Sequence, residues 1–228
     1  MAKTAVITGI TSGIGQALKT RLEADQWKVL GIARHLSADQ NGYEADLSLL
    51  DSVEPLASRI AADCGTIDAF IHVAGVWHDG NRALSGMKLH EFTTHQIIST
   101  MNVGLTSAMI LSARLLPAMQ QDGTMLYISG LFQDGGADWL PYYTSKRGLE
   151  DFIQGLGIDE TGVRVYGVSP DDTATDSYKR FYPNSLANAQ PPLSVAKICV
   201  DLINKTLPAD SGTIVEVKNG QPGMGYHK

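Results

Sequence analysis

The chain has 228 residues, 43% of them hydrophobic, enough for one α/β domain with a substantial buried core. A formal charge of -6 without a Lys/Arg cluster argues against nucleic acid as a partner, and no apolar run reaches membrane-spanning length. Cys64 and Cys199 lie far apart with no Cys-x-x-Cys spacing, and the first residues lead straight into a strand pattern rather than a signal peptide, so reduced thiols and a cytoplasmic location are expected.

Lys3–Thr8 predicts the first strand, followed by the turn Thr8-Gly9-Ile10-Thr11-Ser12-Gly13-Ile14-Gly15 and a helix over Gly13–Ala24 with Ile14, Ala17, Leu18 and Leu22 on its apolar face. Glycines at 9, 13 and 15 allow a tight turn and let the backbone approach a diphosphate. The helix opening then offers N–H groups and a positive dipole end to the anion. No Lys-Ser/Thr pair follows the last glycine, which excludes a P-loop. The second strand, Trp27–Ala33, leads into Arg34 and His35. Residues 33 to 35 offer no carboxylate for a ribose hydroxyl but do offer Arg34, whose planar fork suits a phosphate. Too few residues separate Arg34 from Asp46 for a full helix, so a brief strand at Tyr43–Asp46 and an open flank are expected.

The pattern continues with a helix over Leu49–Asp63, a strand at Ile67–Val73 and a long helix at Glu91–Met119. Next come a strand at Thr124–Ser129, a helix at Tyr142–Gly157 with Pro141 just before it, and a strand at Val163–Ser169. A helix at Ser194–Leu207, capped by Ser194, and a strand at Thr213–Val217 end the series. Alternation of apolar strands with helices predicts a three-layer, doubly wound parallel sheet of about seven strands in a single domain over 1–228. Ligands of such sheets bind beyond the carboxyl ends of the strands, where Gly9, Arg34, Gly75, Ser129 and Pro170 all fall.

Tyr142 and Lys146 are one helical turn apart and share a helix face. A cation beside a phenol favours phenolate. Bringing a phenol from near 10 to about 7 needs roughly 4 kcal/mol of differential stabilisation and yields a general acid/base at neutral pH.

The glycine pattern opening at Thr8, paired with Tyr142-x-x-x-Lys146, resembles the short-chain dehydrogenase/reductase family in its compact, single-domain, Rossmann-type branch, from Lys3 to about Gly220. The resemblance implies strand order 3-2-1-4-5-6-7 and hydride transfer between NADP(H), rather than NAD(H), and a small carbonyl or alcohol substrate. Tyr142 would exchange the proton, and Lys146 would lower its pKa and hold the nicotinamide ribose. Asn102 would kink the long helix and hold a relay water. Gly9, Thr11, Ser12, Gly13, Ile14 and Gly15 would cradle the diphosphate, Arg34 would meet the 2′-phosphate, and Asp46 with Leu47 would contact adenine. Ala74 and Gly75 would let the cofactor lie close, Pro170 would border it, and Thr175 would hold the carboxamide. Residues 176–192 would form a substrate flap, and the two long helices would build a homodimer or homotetramer.

Several positions depart from the family pattern. Counting back from Tyr142 puts Ser129 in the slot of the family's catalytic serine, whereas counting forward from Gly123 puts Gly130 there. A one-residue shift on a strand reverses side-chain direction, so both hold only if the chain bends. The family's Asn-Asn-Ala-Gly is His72-Val73-Ala74-Gly75, expected to weaken a hydrogen-bond network. Its Pro-Gly is Pro170-Asp171, which would bring a carboxylate near the cofactor unless it turns outward. Ser12 is neutral where many NADP-preferring relatives carry a base. These departures motivate an alternative, an NADP(H)-binding sensor or regulator with little activity. Trp77, Phe132, Trp139, Tyr178, Phe181 and Tyr182 follow strand ends and either shape an apolar pocket or pack locally. His90 and His95 are poorly spaced for one helix face, and no metal is expected.

Overall fold

A computed structural model describes residues 2–38, 40–132 and 134–225. Strands β1 (Thr4–Thr8) and β2 (Lys28–Ala33) flank helix α1 (Gly13–Ala24), and β3 (Gly42–Glu44) follows β2 without an intervening helix. Helix α2 (Val53–Cys64), β4 (Ile67–His72), α3 (Thr94–Met101), one π-helical turn (Asn102–Thr106) and α4 (Ser107–Leu115) come next. Then follow β5 (Met119–Ile128), α5 (Leu140–Asp159), β6 (Val163–Pro170), α6 (Asp176–Phe181), α7 (Pro192–Ile203), β7 (Thr213–Lys218) and β8 (Gln221–Gly225). The sheet order is β3-β2-β1-β4-β5-β6-β7-β8, parallel throughout except for β8, which returns antiparallel on β7.

The expected doubly wound sheet is therefore present, with eight strands rather than about seven. The extra strand is a hairpin return through Asn219 and Gly220, both at positive φ. Its Gln-Pro-Gly content carries no apolar alternation, so pattern reading passes over it. One face of the sheet is covered by α1 and α7, which bury Leu18, Leu22, Val195 and Cys199 against β1, β4 and β6. The other is covered by α2, α4 and α5, which bury Ala57, Ile60, Leu111, Leu149 and Ile153. Burial on both faces explains why the central strands read as continuous apolar runs.

Three helices differ from expectation at their boundaries for local reasons. The long helix begins after Thr93, whose hydroxyl accepts the Gln96 N–H while Gln96 reaches back to the Thr93 N–H. It ends before Met119, with Pro117 in the closing turn. The helix carrying Tyr142 begins at Leu140, with Pro141 inside its first turn, where the missing N–H has no intrahelical partner to lose. Ser194 is the third residue of α7 rather than its cap, because Pro192 starts the helix with a preset φ.

Candidate active site

The turn after β1 is built by backbone. Gly9 adopts φ 67°, and its N–H bonds to the Ile32 carbonyl at 2.8 Å, locking the turn to β2. A Cβ at Gly15 would run into the Gly9 carbonyl, so only glycine lets α1 start this close to the strand. Ser12 caps α1, its Oγ accepting the Gly15 N–H at 3.1 Å, and a Cβ on Gly13 would lie 2.8 Å from Thr175 Cγ2. Thr11 and Ile14 belong to the same turn and first helical turn. Thr175, expected to meet a carboxamide, caps α6, its Oγ accepting the Tyr178 N–H at 3.2 Å.

The loop after β4 is tied to this turn by an unpredicted network. Thr8 Oγ1 accepts from the Val73 and Ala74 N–H groups at 3.1 and 3.2 Å and lies 3.1 Å from His72 Nδ1. His72 Nε2 lies 3.1 Å from the Val103 carbonyl inside the π-helical turn. A carbonyl only accepts, so Nε2 carries the proton and Nδ1 accepts the Thr8 hydroxyl. Burial holds His72 down at about 3, with the Lys146 charge adding to it, so the imidazole is neutral. His72 thus rebuilds the network that loss of the two asparagines was expected to weaken.

Asn102 opens the π-helical turn and donates from Nδ2 to the Ser48 carbonyl at 2.9 Å. The long helix is thus interrupted where the kink was expected. A Cβ on Gly104 in this turn would lie 2.8 Å from Ser145 Oγ, so the widened turn packs closely on α5.

On α5, Lys146 is 1% exposed and donates to the Ile128 carbonyl at 2.6 Å, with Nζ 5.5 Å from the Tyr142 ring centroid. A Cβ on Gly75 would lie 3.3 Å from Lys146 Nζ and 3.5 Å from Tyr142 Cε2. The small residue after β4 and the Tyr–Lys pair therefore meet at one place. Burial brings Lys146 down to about 8, against the opposing influence of Glu150. Burial also pushes Tyr142 up to about 12. The expected acidification of Tyr142 is thus not what this geometry produces: desolvation of the phenolate is the cause of the shift, and the Lys146 ammonium donates to a backbone carbonyl.

Ser129 is 2% exposed and donates to Glu150 Oε1 at 2.6 Å. Glu150, itself 2% exposed, is also held by Ser169 Oγ at 3.3 Å and by Arg147, with Nη1 2.8 Å from Oε2 and Nη2 2.9 Å from Oε1. The ladder does not bend here, because Ser129 N and Leu131 N bond in succession to the Val168 and Pro170 carbonyls. Ser129 therefore faces α5, and its hydroxyl proton is committed to a carboxylate rather than offered to a ligand. At Gly130 an added Cβ would lie 3.1 Å from Phe132 Cε2, and the Phe132 ring meets Tyr142 edge-on at 5.7 Å. Glu150 and Arg147 were not singled out from sequence. The available signal was position: Glu150 follows Lys146 by one turn on the same buried face.

At the outer flank, Arg34 is exposed just beyond β2 and forms no ion pair among the described residues. Burial alone would raise Asp46, but two hydrogen bonds from Ser48, aided by Arg34 and His95, leave it below its ordinary value. Leu47 beside it is buried. At the β6 end, Pro170 closes the strand, and Asp171 turns its carboxylate onto the Asp172 N–H at 2.9 Å. Segment 176–192 carries α6 and is pinned by buried Gln190, which donates to the Val217 carbonyl and accepts the Gly220 N–H. The loop aromatics pack across elements: Trp77 meets Phe181 and Tyr182 at 5.8 and 6.2 Å, and Trp139 meets Tyr142 and Tyr182 at 6.1 and 6.2 Å. No group of three or more His, Cys, Asp or Glu able to hold a metal occurs among the described residues. No helix there is long and apolar enough to cross a membrane.

A doubly wound sheet with a glycine turn after β1 and a Tyr–Lys pair after β5, its lysine buried, agrees with comparison to known proteins. The family model for short chain dehydrogenases matches residues 3–185, and the chain belongs to the short-chain dehydrogenase/reductase family, whose members are oxidoreductases that bind a nicotinamide cofactor. The oxidoreductase YxbG of Bacillus subtilis is 30% identical over 187 residues, covering 74% of this chain and 66% of that protein, just under two thirds of its length. The 3-oxoacyl-[acyl-carrier-protein] reductase FabG of Escherichia coli is 29% identical over 191 residues, covering 76% of this chain and 75% of that one. A short chain dehydrogenase from Burkholderia cenocepacia, solved in complex with NADP, superposes with a TM-score of 0.80 at 22% identity, over 96% of this chain and 97% of that one.

Proposed function

We propose that the protein transfers a hydride between NADP(H) and a small carbonyl or alcohol substrate, with Tyr142 as the general acid/base. The observation that carries this reading is the meeting of Tyr142, Lys146 and Gly75 at the carboxyl end of the central strands. The residues present fit a nicotinamide dinucleotide. Gly9, Gly13 and Gly15, with Thr11, Ser12 and Ile14, offer a diphosphate a backbone turn that side chains would fill, and Gly75 leaves room beside the Tyr–Lys pair. Ala74, Pro170 and Thr175 border the same end of the sheet, and Asp46 with Leu47 stands ready for adenine. Arg34, exposed and without a carboxylate neighbour in residues 33–35, supports NADP(H) over NAD(H), as does the Burkholderia relative solved with NADP.

When bound, the nicotinamide supplies or accepts the hydride. Tyr142 at about 12 is protonated at neutral pH and donates its hydrogen to the oxygen of a carbonyl under reduction. Lys146, near 8, is mostly cationic there and stabilises the phenolate left behind. Asn102 holds the widened helix turn in register with Ser48. Ser129 acts through Glu150 in fixing the β5 end against α5, and Gly130 leaves the substrate oxygen without a serine donor. That missing donor favours the second reading, a dinucleotide-binding sensor with little turnover.

Homodimer or homotetramer assembly belongs to the proposal, supported by exposed Ile98 and Met109 on α3 and α4 and Ile158 on α5. So does a cytoplasmic location, on the two free cysteines. Tyr142→Phe should lower NADPH-dependent carbonyl reduction by ~10³-fold, within the range for a lost general acid, while NADPH binding by fluorescence changes little. Retained turnover overturns the assignment. Tight NADPH binding with no turnover by the unaltered protein on any carbonyl favours the sensor.

A further inference from the structure

The rings around Tyr142 form one continuous aromatic surface. Phe132 and Trp139 flank the Tyr142 ring at 5.7 and 6.1 Å, and Trp77 and Tyr182 extend the surface through Trp139, at 6.5 and 6.2 Å from it. Phe181 closes on Trp77 at 5.8 Å. All are half-buried, so ring area remains open to a ligand. Besides the Tyr142 phenol, the Tyr182 hydroxyl belongs to this surface, and it pairs with Ser85. Next to Phe181, His78 is held below its ordinary value by burial, with Arg34 and Arg180 adding, and is uncharged at neutral pH. Of the charged groups nearby, Lys146 Nζ lies 5.5 Å from the Tyr142 ring centroid and donates to the Ile128 carbonyl, while Arg180 and the Lys88–Asp138 pair are exposed.

Gly130 supplies an independent observation. No side chain stands there, and the Phe132 ring edge lies 3.1 Å from where a Cβ would be. The region beside the reacting oxygen thus presents an apolar ring rather than a hydroxyl donor.

We propose that the substrate is an uncharged, flat aromatic ketone or aldehyde whose ring inserts among these side chains with its carbonyl oxygen at Tyr142. This rests on the oxidoreductase reading above. In reduction, the carbonyl carbon gains the hydride released by the reduced nicotinamide, which is oxidised. The C=O electron pair moves to oxygen, and that oxygen takes the Tyr142 proton to give the secondary or benzylic alcohol. Ring–ring contacts supply attraction beyond area burial, and a sugar or charged acyl carrier would find few partners for its polar groups here.

The full-length protein with NADPH should reduce 2-acetylnaphthalene with kcat/KM at least 100-fold above that for an aldohexose or an acetoacetyl thioester. Calorimetric titration of the protein–NADP+ mixture with 2-acetylnaphthalene should show saturable binding, weakened about tenfold or more in Trp77→Leu and in Phe181→Ala. These are two separate half-buried positions, so misfolding of one variant leaves the other informative. Equal or better turnover of the hexose or thioester overturns the aromatic assignment while leaving the oxidoreductase reading intact. Turnover of nothing, with saturable ketone binding that both variants weaken, overturns the oxidoreductase reading and with it the substrate role, and leaves the rings as a binding site for an aromatic ligand. Absence of saturable binding, or binding unchanged in both variants, overturns the aromatic site.

Discussion

The turn after β1 and the end of β5 stand at the same rim of the sheet, yet they are specified differently. The β1 turn is made of backbone: Gly9 at positive φ, Gly15 against the Gly9 carbonyl, and a serine cap. Only the absence of side chains matters, so residue type and spacing describe it almost completely. The β5 end depends on which way one hydroxyl points. Ser129 and Gly130 are neighbours, yet an unbent ladder sends the serine to Glu150 and leaves glycine beside the Phe132 ring.

The comparison breaks most readily at the cradle. Gly15→Val drives a branched side chain into the Gly9 carbonyl. Overpacking of this kind costs ~1–3 kcal/mol of stability, and displacement of the turn should weaken NADPH binding by 100-fold or more in a fluorescence titration. Binding within threefold of the unaltered protein would show that the cradle is not the nucleotide site.

A smaller effect is expected in the His72 network. Its folded value of about 3 lies below the ordinary 6.5, so between these limits the unfolded chain binds more protons and stability falls as the pH is lowered. Urea unfolding should show this loss beginning near pH 6.5, and His72→Asn should flatten it. An equal acid loss in the variant would exclude His72 as its source.

Arg34→Ala tests the cofactor end. Losing one charge-assisted contact of about 1.5–3 kcal/mol should raise the KM for NADPH by ten- to a hundredfold with little change for NADH. Equal effects on both would remove Arg34 from phosphate recognition. The smallest shift is expected from Glu150→Gln. The Glu150 charge raises Lys146 while burial lowers it to about 8, so reduction should decline as the pH rises past that point. The variant's decline should begin at lower pH. A limb that stays in place would separate Glu150 from Lys146.

The sheet, the glycine turn and the Tyr142–Lys146 face could be read from residue type and period, since each follows from local rules. The direction of Ser129 could not, because two counts from different landmarks disagreed by one residue and strand parity magnifies that disagreement. Arg147 and Glu150 were not singled out from the sequence. The burial of Glu150 follows from docking against Ser129 and Ser169, and half-buried Arg147 reaches the Gly130 carbonyl, contacts far away in sequence. The low tyrosine pKa expected from spacing failed because spacing carries no information on desolvation, which dominates at Tyr142. The same limit applies to His72: substitution by residue type suggested a loss, while the fold supplied Thr8 and the Val103 carbonyl as new partners.

In the proposed reaction Ser129 secures the strand end while Tyr142 handles the proton without a serine beside it. The most direct test is the turnover number of Ser129→Ala with NADPH and a saturating carbonyl substrate, normalised to folded protein. The expected kcat is within about threefold of the unaltered enzyme, alongside a stability loss of ~1.5–3 kcal/mol from the lost hydrogen bond to the Glu150 carboxylate, which keeps Arg147 and Ser169. A fall in kcat of about 100-fold or more, the size associated with losing an oxyanion donor, would contradict it.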